Sequence, residues 1–188
     1  ALEEIIYRGK RISILEAKNK KILAEDVEPV LEIRAFGTHA RIIDVFNEDL
    51  MNPSTQSQKR ADFLIEDARL LVARELGEDL SKFDHVKYFK WLARTTGKNL
   101  GLMHKHGYIH KYLREGHNIT LDGCLVDFES TKKVGPESII DFNDDSTAAF
   151  TALRHMLDLS EFRYPGKRTT FDEILREYEL SYKQNRES

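Results

Sequence analysis

The sequence predicts an α+β fold in which helices dominate, and three features carry that prediction. Two stretches, 56–76 and 83–105, repeat apolar residues at helical spacing. Two others, 30–46 and 118–127, gather β-branched and aromatic residues around a glycine-containing pair, the pattern of a β-hairpin. The 188 residues, 40% apolar and 32% charged, are enough for one substantial core in an ordinary globular chain.

The elements follow in order. Residues 1–7 read as part of a helix continuing towards Leu15, and Lys18 to Lys21 as a solvated connection. Gly37-Thr38 is the expected turn of the first hairpin, and the turn-rich stretch Met51 to Ser57 the expected boundary between segments 1–50 and 51–188. Phe63, Leu64, Ala68, Leu71, Val72 and Leu76 form the apolar stripe of the next helix, which ends at Gly77. Val86, Phe89, Leu92, Ala93, Leu100 and Met103 do the same for the second long helix, with Tyr88 and Trp91 as further core residues. Residues 129–143 read as loop, with the acidic run Asp141 to Asp145 leading to a helix N-terminus where the dipole favours carboxylates. Helices are expected over 145–157 and 170–184, the latter opening on Thr170 and Glu173 at capping-box spacing.

Composition excludes several classes. A net charge of −3 offers no general attraction for nucleic acid or an anionic membrane. Cys124, the single cysteine, rules out an intrachain disulfide and suits a reducing, cytoplasmic setting. No stretch reaches the roughly 20 apolar residues of a membrane span, and the N-terminus does not read as a signal peptide. The first residue, Ala1, suggests a piece of a longer protein.

The most informative stretch is Asn118-Ile-Thr-Leu-Asp-Gly-Cys-Leu-Val-Asp127. An Asp-Gly loop of type I′ at 122–123 would pair Leu121 with Cys124, Thr120 with Leu125 and Ile119 with Val126. Asn118 and Asp127 would then stand side by side at the open end, an amide oxygen and a carboxylate suited to a hard cation such as Mg²⁺. Protein kinases hold the metals on ATP with an asparagine and an aspartate of this kind. Upstream, Gly107 to Asn118 lies where a kinase catalytic loop would lie, but Leu113 occupies the place of the base aspartate. The spacing from His110 to Asn118 is one residue longer than the kinase pattern. In the first hairpin, a two-residue Gly37-Thr38 loop sets Arg34 opposite Arg41. Such like charges are unfavourable unless an anion lies between them, and two guanidinium forks match a phosphate. The competing reading leaves both arginines solvated or paired with acids such as Glu32 and Asp44.

Together, Leu31-Glu-Ile-Arg-Ala-Phe-Gly-Thr-His-Ala-Arg41, Ala61-Asp-Phe-Leu-Ile65, Leu92-Ala-Arg-Thr95 and Asn118 to Phe128 resemble the selenoprotein O family in order and approximate spacing. The resemblance is remote and spans most of residues 1–158. It implies a protein-kinase-like fold that binds ATP in a flipped orientation, with Mg²⁺, and transfers AMP to protein hydroxyls. On this reading 51–188 is the kinase-like C-lobe, and 1–50 is a remnant of the N-lobe, an αC helix and a hairpin. Glu4 matches the αC glutamate that pairs with the nucleotide-binding lysine. Arg34 and Arg41 match the arginines on phosphate, and Asn118 and Asp127 the metal ligands. His117 stands where the family has its proposed base aspartate. The glycine-rich loop and the strand lysine of the family would lie upstream of residue 1. The implied partners are a nucleotide and a protein substrate. Two rivals stand beside this reading. A catalytically dead pseudokinase would act as a protein-interaction module. A transition-metal site could use His104, His106, His110 and His117, with His106 and His110 spaced i, i+4.

Overall fold

The computed structural model describes residues 4–7, 10–21, 38–49, 55–135, 137–161 and 168–187. Among them the chain is α+β and mostly helical, with two small two-stranded sheets. It divides into two units, residues 1–35 and 36–188, upstream of the boundary near residue 50 that the sequence suggests.

In the first unit, β1 (Glu4–Tyr7) pairs antiparallel with β2 (Lys10–Ser13), Glu4 opposite Ser13 and Tyr7 opposite Lys10. The helix expected from residue 1 towards Leu15 is corrected. Ile5, Ile6, Tyr7 and Ile12 are β-branched or aromatic and favour strands. The helix α1 (Ile14–Asn19) begins only where Ser13-x-x-Glu16 supplies a cap, with the Glu16 amide donating to Ser13 Oγ at 3.0 Å. Glu4 therefore stands on a strand and not on an αC-type helix.

The second unit holds α2 (Ile42–Asp49), α3 (Thr55–Glu75), α4 (His85–Lys105), the β3–β4 pair (Tyr108–Ile109 with Lys132–Lys133), α5 (Ile139–Glu161) and α6 (Arg168–Glu187). Helix α2 takes the place of the return strand expected up to Phe46. Its third helical residue, Asp44, accepts the Arg41 amide at 2.7 Å, one half of a capping box, so the chain turns helical immediately after Arg41. Residues 30–37, Arg34 included, lie outside the described residues.

Helices α3 and α4 match their expected bounds closely, but the buried stripe of α3 runs through Ala61, Ile65, Ala68 and Val72. Phe63 and Leu76 are instead 67% and 49% exposed. Helix α4 buries Tyr88, Phe89, Leu92, Ala93 and Leu100, with Trp91 packed against the same core. Each large side chain among them contributes about 1.5–3 kcal/mol through burial. Its N-terminus is capped by Asp84, which accepts the Lys87 amide at 2.9 Å.

Helix α6 lies against α4 at glycine contacts. A Cβ on Gly97 would sit 2.5 Å from the Tyr178 carbonyl oxygen, and one on Gly101 would sit 2.6 Å from that of Tyr182. Glycine one turn apart lets the two backbones approach more closely than any side chain allows. Because α6 starts at Arg168, Thr170 is inside the helix and not its cap, and Glu173 pairs with Lys90 of α4 at 3.0 Å. Helix α5 starts at Ile139, so the acidic run Asp141 to Asp145 is helical rather than loop, and Asp145 is 4% exposed.

Candidate functional site

Helix α4 is the platform for the segment 118–127. Tyr88 donates its hydroxyl to the Leu121 carbonyl at 2.8 Å, and the Asn99 amide donates to the Gly123 carbonyl at 2.9 Å. Burial, then the Asp122 carboxylate, holds the Tyr88 phenol above its ordinary range, so it remains a donor. The expected hairpin forms in a different register. Ile119 pairs with Leu125, the Thr120 amide donates to Cys124 O at 3.0 Å, and the Val126 amide donates to Asn118 O at 3.1 Å. Three residues, 121–123, make the loop, and only Gly123 takes a positive φ, +76°. That is the three-residue hairpin loop with glycine in the left-handed region, not a type I′ turn, which needs positive φ at Asp122 as well. Asp122 is turned inward instead: its carboxylate accepts the Thr120 hydroxyl and, at 3.4 Å, the Thr38 amide.

The one-residue shift places Asn118 opposite Val126, with Asp127 the next residue outward. Asp127 adopts φ +63°, ψ +62°, a left-handed conformation that non-glycine residues occupy at a cost. Lys111 and Glu115 also take positive φ, at 69° and 59°. Such strain gathers where the surroundings over-determine the backbone. The Asp127 side chain is partly exposed and, among the described residues, makes no hydrogen bond or ion pair. Asn118 is 5% exposed.

Arg41 reaches the same point from the start of α2. Its Nη1 donates to His117 O at 3.0 Å and to Asn118 Oδ1 at 3.2 Å. Backbone bonds fix this approach, from the Leu121 amide to Ala40 O at 2.8 Å and from the Ile42 amide to Ile119 O at 2.9 Å. The structure thus brings Arg41, Asn118 and Asp127 to one end of the hairpin. It does not bring His117 into a base position, because the imidazole is 57% exposed and lies 3.6 Å from Glu115. Leu113, where a kinase base would stand, is fully buried. Glu4 belongs to the first unit, and Arg34 lies outside the described residues.

The residue that sequence reasoning missed is Asp145. Its Oδ2 accepts the His110 amide at 2.7 Å and His104 Nε2 at 3.0 Å, and its Oδ1 accepts the Lys111 amide at 2.9 Å. His104 Nδ1 meets the Tyr182 hydroxyl at 2.7 Å, which takes a bond from Arg186 at 3.3 Å. Since a carboxylate only accepts, His104 donates through Nε2 to Asp145 and accepts the Tyr182 hydroxyl on Nδ1. His110 Nε2 donates to Val126 O at 2.8 Å, fixing the peptide that leads into Asp127. A chain of bonds therefore runs from α6 through α4 and α5 to the strained Asp127. It also engages two of the four histidines considered for a metal site. His104 and His110 are buried, His104 bonded through both ring nitrogens and His110 through Nε2, His106 and His117 are exposed, and the helix ends at Lys105, before the i, i+4 pair. Among the described residues no group of three or more metal-ligating side chains converges.

Cys124 offers no nucleophile. Burial, then the Asp122 carboxylate, pushes its thiol up to about 11. Among the described residues no helix is long and apolar enough to cross a membrane. Comparisons with protein-family models, with characterised proteins and with solved structures returned no match.

Proposed function

We propose that residues 36–188 form a kinase-like module that binds ATP with Mg²⁺, akin to the selenoprotein O-type protein adenylyltransferases. The observation that carries this reading is Asp127: a strained carboxylate with no partner among the described residues, one residue beyond the Asn118–Val126 pair, its peptide held by His110. Mg²⁺ needs oxygen ligands and commonly takes one or two protein groups, with waters and phosphate oxygens completing six. The donor set fits. Asp127 supplies a carboxylate oxygen and Asn118 an amide oxygen once Arg41 swings off Asn118 Oδ1. The released guanidinium is then free for a phosphate, which it can hold with two parallel bonds. Bound magnesium would neutralise charge on the phosphates and their developing leaving group. Transfer of AMP would form a bond from a protein hydroxyl oxygen to the α-phosphorus and break the α–β bridge, releasing pyrophosphate.

One observation favours a second reading, a pseudokinase that binds nucleotide or partners without chemistry. Leu113 is buried and His117 points at Glu115, so neither position offers a group to take the hydroxyl proton. The test begins with a thermal-shift titration of ATP, with and without Mg²⁺, on this chain and on Asp127→Ala. Ligand at about 100 times its Kd stabilises by roughly 2.7 kcal/mol, a rise of about 5–10 °C for this size. A magnesium-dependent rise that Asp127→Ala abolishes supports the site. Equal rises in both proteins, or none, sink it. Mass spectrometry for transferred AMP then separates enzyme from pseudokinase.

A further inference from the structure

One cavity bounded by described residues lies away from Asn118 and Asp127. It has a volume of about 440 Å³ and opens between the Lys111-Tyr112 segment and the first turns of α5. Its walls are of two kinds. Ile109, Ala148 and the ring of Tyr112, 64% exposed, make an apolar side, and the exposed Ile140 lies in the same first turn of α5. Asp141 and Asp144 make the other side, and both carboxylates are exposed and form no ion pair among the described residues. Asp145 also lines the cavity, but its oxygens are taken by the His110 and Lys111 amides and His104. Among the described residues Lys111 is the one cation in the lining, and it forms no ion pair with Asp141 or Asp144.

An aromatic face beside two unpaired carboxylates, with an apolar floor, is complementary to a guanidinium. The plane stacks on the ring while its edge donates to the carboxylates, and the methylene stem lies along the apolar wall. A hydrated metal ion gains nothing from the ring and the aliphatic side chains. A lysine would lose the fork and the stacking. We propose that this cavity is a docking site for an arginine side chain of an extended polypeptide segment with apolar neighbours. Ile140 supplies a contact for the neighbouring residue. The proposal rests on these residues alone and is independent of the nucleotide reading.

The probe is a short peptide, Ala-Leu-Arg-Leu-Ala, and its citrulline counterpart, which keeps the shape and removes the charge. Each is titrated into the ¹⁵N-labelled chain while amide shifts are followed by NMR. The arginine peptide is expected to move amides of 109–112 and 139–148 saturably, and citrulline to bind about tenfold more weakly or not at all. The double variant Asp141→Asn/Asp144→Asn alters only exposed side chains and is expected to lose the response while keeping its spectrum. Lys111→Ala, which removes the competing cation, is expected to tighten binding. Equal binding of arginine and citrulline peptides, shifts located elsewhere, or no shift at millimolar peptide overturns the proposal. Spermidine producing the same shifts at equal affinity also overturns it, because the occupant is then a diffusible polyamine.

Discussion

Replacing Asp145 with alanine removes the acceptor for three donors at once, the His110 and Lys111 amides and His104 Nε2, at 2.7, 2.9 and 3.0 Å. All three bonds are charge-assisted, and the carboxylate is almost fully buried. Leaving one buried donor unpaired costs about 1–3 kcal/mol, but the losses do not add, because water can enter the space left behind. Bonds to a charged group are worth more than neutral ones, and with water relieving part of the loss a total of about 3–5 kcal/mol is the guide here. Against a total stability of about 5–15 kcal/mol, the variant should be folded but marginal. Urea denaturation measures the loss. Amide exchange locates it, because a local loss of about 3 kcal/mol speeds exchange of the His110 and Lys111 amides by roughly a hundredfold. A loss below about 1 kcal/mol, with those amides as protected as before, would refute the claim that Asp145 holds the loop.

Two further outcomes follow from the packing and the ionisable groups. Gly97→Ala should destabilise by about 1–3 kcal/mol in urea, because the new Cβ meets the Tyr178 carbonyl at 2.5 Å and the gain in helix propensity is only about 1 kcal/mol. The phenols of Tyr88 and Tyr178 are held above their ordinary range chiefly by burial, and the Cys124 thiol is raised to about 11. In each case the unfolded chain releases its proton first. Stability is therefore complete below about pH 9 and falls as pH rises through 9–11, which an alkaline titration followed by circular dichroism checks.

The sequence made the helical frame legible and the site only in part, for physical reasons. Long amphipathic repeats such as Phe89, Leu92 and Leu100 report their own burial, since one face of a helix sees one environment. At the N-terminus a helix is expected from residue 1, but the β-branched and aromatic run Ile5, Ile6 and Tyr7 decides for the strand. The spacing suggests Asn118 directly opposite Asp127, but Asn118 pairs with Val126 and Asp127 is the next residue out, because the register is set by where Asp122 finds donors. That depends on Thr38, 84 residues away in the chain. Asp145 was unreadable for the same reason. In sequence it is one acid in a run of acids, and only the fold shows that its neighbours Asp141 and Asp144 face out while it faces in.

The conformation of Asp127 separates a structural role from a binding one. At φ +63° an L-residue carries a cost of roughly 1 kcal/mol that glycine does not. Its carboxylate has no partner among the described residues that would repay this cost. Asp127→Gly should therefore be as stable as the parent or more so by about 0.5–1 kcal/mol, even after glycine's greater freedom in the unfolded chain is counted. Asp127→Ala keeps the strain and should not gain. If glycine stabilises the fold while abolishing a magnesium-dependent response to ATP, the aspartate is held there for binding at the expense of stability. If Asp127→Gly unfolds more easily than the parent by more than about 1 kcal/mol, the carboxylate has a structural partner and its assignment as a metal ligand fails. Denaturation midpoints of the three proteins, measured side by side with and without ATP and Mg²⁺, decide between the two.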